Sequence, residues 1–145
     1  MEFLKQAHST YHLRYHLIFV TKYRRKIFTT PGMSAYLLAV LRAVSKQYPD
    51  IKLYEMKTDA DHVHLLASIP PRMAISDAVR LLKTNSAKSM RARFPFLSTM
   101  YERKGMGVWS DGYFVSTVGS NEKVIEKYIR AQGKEDKGQT KFVWR

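Results

Sequence analysis

The chain has 145 residues, of which 45% are hydrophobic and 12% aromatic, and it contains no cysteine. This length and composition suit one folded domain with a substantial core, and they argue against disorder, disulfide bonds and thiolate metal sites. Lys and Arg number 25 against 12 Asp and Glu, which gives a net charge of +13. Such an excess indicates a polyanionic partner, and nucleic acid is favoured over a membrane surface because no basic amphipathic terminal helix or lipidation motif is evident.

The N-terminal residues lack the apolar core of a signal peptide, and no apolar stretch approaches the roughly 20 residues that span a bilayer. We therefore expect a cytoplasmic protein with no membrane partner. We also expect residues 1–145 to form a single domain, because no linker, repeat or low-complexity segment divides the chain.

The first predicted strand covers residues 11–20, which are rich in aromatic and β-branched side chains. Strand alternation places His16 on one face, where it is either a further metal ligand or, more commonly, a hydrogen-bonded strand histidine. A basic stretch follows, consisting of Lys22, Tyr23, Arg24, Arg25 and Lys26. This stretch is either a solvated loop or a surface that contacts phosphates while a base stacks on the tyrosine ring.

A first helix is predicted from Thr30-Pro31 to a stop at Pro49, because threonine is a good cap and proline suits the first turn. Its apolar stripe predicts core residues Leu37, Leu38, Leu41, Val44 and Tyr48. Residues 51–58 predict a second strand, and a short turn then leads into a third strand, which gives a hairpin.

The third predicted strand carries the motif His62-Val63-His64. Successive strand residues point to opposite faces, so the two histidines share one face. Two neutral imidazoles on a rigid element form half of a metal site, although a solvated strand face with two histidines is the simpler alternative. Asp61, beside His62, is a competing ligand.

A second helix is predicted from Ile75 to about Phe94, with its core face drawn by Ile75, Val79, Leu82, Ser86 and Met90. Its cations are Arg80, Lys83, Lys88, Arg91 and Arg93. They form either an ordinary solvated face or a surface that follows a phosphate backbone.

Residues 95–107 predict a loop, and residues 108–118 a fourth strand. A last helix is predicted over about 120–133, ended by Gly133 and followed by the tail 134–145.

Tyr128 and Gln132 lie four residues apart in this last helix and therefore share one of its faces. Each is ordinary on a helix. Together with the histidine pair they suggest a site in which the imidazoles and the Gln132 oxygen hold a divalent cation, while Tyr128 is a nucleophile.

The order of predicted elements is strand, helix, strand, strand, helix, strand, with one further helix. This order predicts an α+β, ferredoxin-like fold: an antiparallel sheet with helices on one face, plus an extra C-terminal helix that carries the tyrosine.

Four segments of the chain resemble the single-tyrosine HUH transposases of the insertion-sequence-200/605 family, where H is histidine and U a hydrophobic residue. The segments are 15–24, 60–66, 109–115 and 128–132, in the order that the family uses. The resemblance implies metal ligands His62, His64 and Gln132 for Mg²⁺ or Mn²⁺, and Tyr128 as the nucleophile.

The resemblance also implies a reaction: cleavage and rejoining of single-stranded DNA at insertion-sequence ends through a 5′-phosphotyrosine. Recognition would involve DNA hairpins, gripped by Lys22, Tyr23, Arg24, Arg25, Arg80, Lys83, Lys88 and Arg91. The acting species would be a homodimer in which the tyrosine helix can serve the partner's histidines, with Gly119 at the hinge.

The sequence is also compatible with three other functions. A non-enzymatic, ferredoxin-like module that binds single-stranded nucleic acid fits the charge equally well and predicts no covalent product. A domesticated repeat-associated tyrosine transposase would share the chemistry and differ in its target. A metal-dependent ribonuclease with a histidine pair would turn over without a tyrosine adduct.

Overall fold

The computed structural model describes residues 14–101, 107–117, 123, 126–132 and 134. In chain order its main elements are β1 (Arg14–Val20), α1 (Met33–Gln47), β2 (Lys52–Thr58), β3 (His62–Ser68), α2 (Ile75–Arg93), α3 (Phe96–Met100) and β4 (Phe114–Thr117). The strands pair antiparallel in the order β2-β3-β1-β4. The ferredoxin-like α+β architecture predicted from the sequence is confirmed.

The two faces of the sheet have different roles because side chains alternate along β1 and β3. The face toward α1 and α2 contributes fully buried apolar side chains to the core, among them Leu17, Phe19, Val63 and Leu65. The other face carries the histidines. Val20 lies directly opposite His62, and Ile18 lies directly opposite His64. Directly opposed residues of an antiparallel pair share a face, so these four side chains lie side by side.

Helix α1 begins two residues later than the Thr30-Pro31 start predicted from the sequence. Gly32 precedes the helix with a φ of +82°, a left-handed conformation that a helix cannot include. The predicted core residues Leu37, Leu41 and Val44 are buried. Helix α2 has nearly the predicted bounds.

The segment before β4 differs from its prediction in two ways. The expected loop 95–107 contains the short helix α3, and the expected strand 108–118 is reduced to β4 and one isolated bridge between Trp109 and Thr21. Residues 109–114 oppose residues 18–21, so two extra residues bulge out of the ladder. Gly112 lies in this bulge with a φ of +83°.

Residues 126–132 are helical, and we call them the terminal helix; Lys134 is helical as well, so the predicted end at Gly133 is wrong. Buried Ile129 packs against Ile18 and Val20, which places the terminal helix on the histidine face, opposite α1 and α2. The hinge residue Gly119 and most of the predicted tail lie outside the described residues. No described helix combines the length and apolarity needed to cross a membrane.

Candidate active site

His62 and His64 project from the central strand β3 with their ring centroids 4.7 Å apart. Both Nε2 atoms approach the same carboxylate oxygen: Asp59 Oδ2 lies 2.8 Å from His62 Nε2 and 3.1 Å from His64 Nε2. One ligand atom from each of these three residues lies within 4.8 Å of the others. The strand and the turn before it therefore bring together a set of donors suited to a divalent cation.

The other nitrogen of each ring is engaged by a different group. His62 Nδ1 lies 2.7 Å from Asp61 Oδ1, and His64 Nδ1 lies 3.1 Å from His16 Nε2. A ring that donates through Nδ1 keeps its Nε2 lone pair for a metal, and such outer partners fix the tautomer. Asp61, considered from sequence as a competing ligand, therefore orients His62. His16 is a hydrogen-bonded strand histidine.

The electrostatics favour the neutral form of His16 and His64 and the ionised form of Asp61. Burial lowers the pKa of His16, and burial together with the charge of His62 lowers the pKa of His64. Burial alone would raise the pKa of Asp61, but hydrogen bonds and charge from His62 and Arg24 outweigh it and leave that pKa lowered. Neutral imidazole is the form that binds metal.

Tyr128 and Gln132 direct their polar ends toward the bulge before β4. A Cβ placed on Gly112 would lie 3.9 Å from Tyr128 Oη and 3.7 Å from Gln132 Oε1. Gln132 is buried, and the Tyr128 ring centroid lies 5.6 Å from that of Phe114. Phe114 is opposite Ile18 in the sheet, so Tyr128 lies over the histidine face.

Lys83, expected on a DNA-binding surface, is instead buried, with 2% of its surface exposed. Its Nζ donates to the Ser110 carbonyl over 2.8 Å and also to the Gly112 carbonyl. It therefore ties α2 to the bulge that Tyr128 and Gln132 approach. The expectation fails because a buried ammonium with two carbonyl acceptors is not available to a phosphate.

The other expected DNA contacts are distributed as follows: Arg24, Arg25, Arg80 and Lys88 are exposed, Tyr23 and Arg91 are half-buried, and Lys22 is buried. Lys22 is thus a second departure from the expected surface. Its Nζ lies 5.6 Å from the centroid of the Tyr23 ring. Tyr23 and Arg24 have φ angles of 61° and 51°, and within this tight turn Arg24 Nε reaches Asp61 Oδ2 over 3.1 Å.

Sequence reasoning missed the position of Asp59 beside both imidazoles and the internal role of Lys83. A turn carboxylate is common for conformational reasons, so Asp59 alone gave no specific signal. The burial of Lys83, in contrast, had a signal in the sequence. It lies four residues after Val79 and three before Ser86, within the stripe that faces the core.

The fold and the site define a ferredoxin-like domain with a histidine pair and a helix-borne tyrosine on one face of its sheet. The chain belongs to the family described as "Transposase IS200 like", which it matches over residues 9–132.

Two relatives and one solved structure support this assignment. The chain is 34% identical over 131 residues to the transposase for insertion sequence element IS200 of Salmonella typhimurium, covering 90% of this chain and 84% of the relative. It is 35% identical over 133 residues to the ISDra2 transposase TnpA of Deinococcus radiodurans, covering 91% and 92%. The crystal structure of a proposed transposase from Deinococcus radiodurans superposes with a TM-score of 0.72 at 34% identity, covering 83% of this chain and 90% of that one. The family inferred from the sequence is confirmed.

Proposed function

We propose that this chain cleaves and rejoins single-stranded DNA at insertion-sequence ends, with Tyr128 as the nucleophile. The observation that carries the proposal is the packing of Ile129 on Ile18 and Val20. Those two residues lie opposite His64 and His62 in the sheet. The tyrosine and the histidine pair therefore occupy the same face, as a shared active site requires.

The residues present fit a divalent cation, Mg²⁺ or Mn²⁺, held by His62, His64 and Gln132. Both imidazoles direct Nε2 to one point, and an amide oxygen is a hard ligand that both ions accept. When bound, the cation would neutralise negative charge on the scissile phosphate. Hydrogen bonds donated by the Nδ1–H groups of His62 and His64 to Asp61 and His16 would keep the imidazoles in the metal-binding tautomer.

The covalent chemistry belongs to Tyr128. Its Oη attacks the scissile phosphorus, the new O–P bond makes a 5′-phosphotyrosine, and the bond from phosphorus to the 3′ oxygen breaks. The phenol loses a proton, and the departing 3′ oxygen gains one to become a hydroxyl. In rejoining, a 3′-hydroxyl attacks the phosphotyrosine and the phenol is restored. One phosphate ester replaces another at each step, so no nucleotide hydrolysis is needed.

We propose that DNA hairpins contact the exposed cations Arg24, Arg25, Arg80 and Lys88, with Arg91 and Tyr23 adjoining. A cleft of about 340 Å³ opens beside His64 and His16, next to Glu55 and Lys57 of β2, and offers a path for a single strand to the histidine face. We further propose a homodimer in which the terminal helix can act on the partner's histidines; the family resemblance supports this assembly.

The deciding experiment incubates the protein with a single-stranded hairpin DNA and Mn²⁺ and resolves the products on a denaturing gel. We expect a covalent protein–DNA adduct with the wild type and with Tyr54→Phe, which alters an exposed tyrosine of β2. Tyr128→Phe should bind the same hairpin and form no adduct. An adduct with Tyr128→Phe would refute the nucleophile assignment, and metal-independent binding without any adduct would favour the non-enzymatic binding module.

A further inference from the structure

The turn between β2 and β3 places a carboxylate where a cation ligand would lie. Asp59 Oδ2 is 2.8 Å from His62 Nε2 and 3.1 Å from His64 Nε2. We propose that Asp59 is a third protein ligand, so that this hairpin holds the ion without Gln132. The inference rests on the proposed metal-dependent function and deepens it.

The distances between donor atoms support direct coordination. Metal–nitrogen and metal–oxygen bonds to such ligands are about 2.0–2.2 Å long. Two ligands at right angles around one ion are then roughly 3 Å apart, by the same bond lengths. Both separations that involve Asp59 Oδ2 agree with this value, so an ion can take the shared position with small side-chain adjustments.

The local construction explains why these three residues form a unit. The backbone N–H of Asp59 donates to the His62 carbonyl over 2.8 Å, which closes the turn and brings the carboxylate back over the strand. Strand β3 is hydrogen-bonded on both sides, to β2 and to β1, so the imidazoles project from a rigid base. The Asp59 side chain is 44% exposed and has room to rotate onto an ion.

The chemistry of the set differs from that of two imidazoles and an amide. A carboxylate supplies a negative charge and a hard oxygen, which favours Mn²⁺ and Mg²⁺. In a six-coordinate ion, three protein ligands leave three positions, enough for phosphate oxygens and for the Gln132 oxygen when the terminal helix is docked. The hairpin therefore offers three ligands to the ion even when the terminal helix, with Gln132, is not docked.

The test uses the absence of cysteine from the chain. In Asp59→Cys the new thiol is the only one, and Co²⁺, which binds such sites more tightly than Mn²⁺, is the probe. Direct coordination produces a thiolate-to-cobalt charge-transfer band in the near ultraviolet. Asp77→Cys, at an exposed acid of α2, is the matched control and should give no band. A cobalt-loaded Asp59→Cys without the band would overturn the inference.

A second measurement needs no cysteine. Mn²⁺ titration followed by electron paramagnetic resonance should show roughly 10-fold or greater weakening for Asp59→Asn, and wild-type affinity for Asp77→Asn. Hairpin binding in EDTA confirms that each variant is folded. Wild-type Mn²⁺ affinity in Asp59→Asn would contradict the inference while leaving the histidine site intact. Unchanged affinity in His62→Ala and His64→Ala would instead refute the proposed metal site itself.

Discussion

His16 Nε2 lies 3.1 Å from His64 Nδ1, and the two rings stack with centroids 5.3 Å apart. One histidine belongs to β1 and the other to β3, so the hydrogen bond joins adjacent strands on the face that carries the site. His64 consequently has its ring orientation fixed by a residue outside the His62-Val63-His64 motif. Protonation of both rings would leave two N–H donors facing each other and would break this hydrogen bond.

The first prediction concerns pH. Burial lowers the pKa of both His16 and His64 below the ordinary value. Below about pH 6.5, the usual histidine pKa, the unfolded chain therefore binds more protons than the folded one. The stabilisation is fully present above that pH and is lost as pH falls through the lower folded values. Mn²⁺ affinity should decline over the same acidic range.

NMR titration of the imidazoles, together with urea unfolding at several pH values, tests this. His16→Asn should reduce the acid sensitivity of the free energy of unfolding, because one depressed group is removed. A His64 ring that titrates at or above the ordinary value would show that the burial effect has been misjudged.

The second prediction separates DNA contact from support of the metal site. Arg24 pairs with Asp61, which in turn holds His62, whereas Arg80 pairs with the exposed Asp77 of its own helix. We expect Arg24→Gln to weaken Mn²⁺ affinity by up to about 10-fold, the lower end of the effect of losing a direct outer partner, because Arg24 acts on His62 only through Asp61. Arg80→Gln should weaken hairpin binding and leave Mn²⁺ affinity unchanged. Equal Mn²⁺ titrations for the two variants would argue against the relay through Asp61.

The third prediction contrasts two lysines of one helix. Lys83→Met keeps the alkyl chain but leaves the carbonyls of Ser110 and Gly112 without their ammonium donor. Loss of these bonds should lower the free energy of unfolding by about 1–3 kcal/mol. Lys88→Met, at an exposed position, should leave stability unchanged and reduce hairpin affinity. Denaturant unfolding and hairpin titration of both variants provide the comparison. Unchanged stability with reduced hairpin affinity in Lys83→Met would show that Lys83 contacts DNA.

The fourth prediction uses two glycines with the same backbone conformation. Gly112 and Gly32 have φ angles of 83° and 82°, so valine at either position carries a similar backbone strain. Only Gly112 faces Tyr128 Oη and Gln132 Oε1, while nothing lies within 4 Å of a Cβ on Gly32. Valine's γ carbons extend roughly 1.5 Å beyond Cβ and would displace the terminal helix.

We therefore expect Gly112→Val to suppress adduct formation well beyond its loss of thermal stability. Gly32→Val should lose comparable stability and still form the adduct in proportion to the folded fraction. Parallel behaviour of the two variants would mean that the approach of Tyr128 to Gly112 has no part in cleavage.

The sheet and its two faces could be predicted because strand alternation has a fixed period of two residues. This period placed His62 and His64 together on one face of the sheet, and the structure agrees. Helix α2 was predictable for a similar reason, since its apolar positions recur at helical spacing.

Other features depend on contacts between distant segments, which local pattern does not encode. The bulge before β4 arises because the chain pairs at two separated points, with β1 and with Thr21 just after it. The local sequence does not show this break, since the aromatic residues of the segment are typical of one continuous strand. Asp59 resembles any turn acid until the hairpin register sets it beside both imidazoles. The burial of Lys83 depends on carbonyls 27 and 29 residues further along the chain.

The contact between Ile129 and the pair Ile18 and Val20 also bears on how firmly the terminal helix is held. Full burial of one isoleucine contributes roughly 1.5–3 kcal/mol. Taken alone, that amount favours the attached helix by only about 10- to 150-fold. Detachment of the helix in about 1–10% of molecules would then leave the folded sheet intact, as the proposed exchange of Tyr128 between subunits requires.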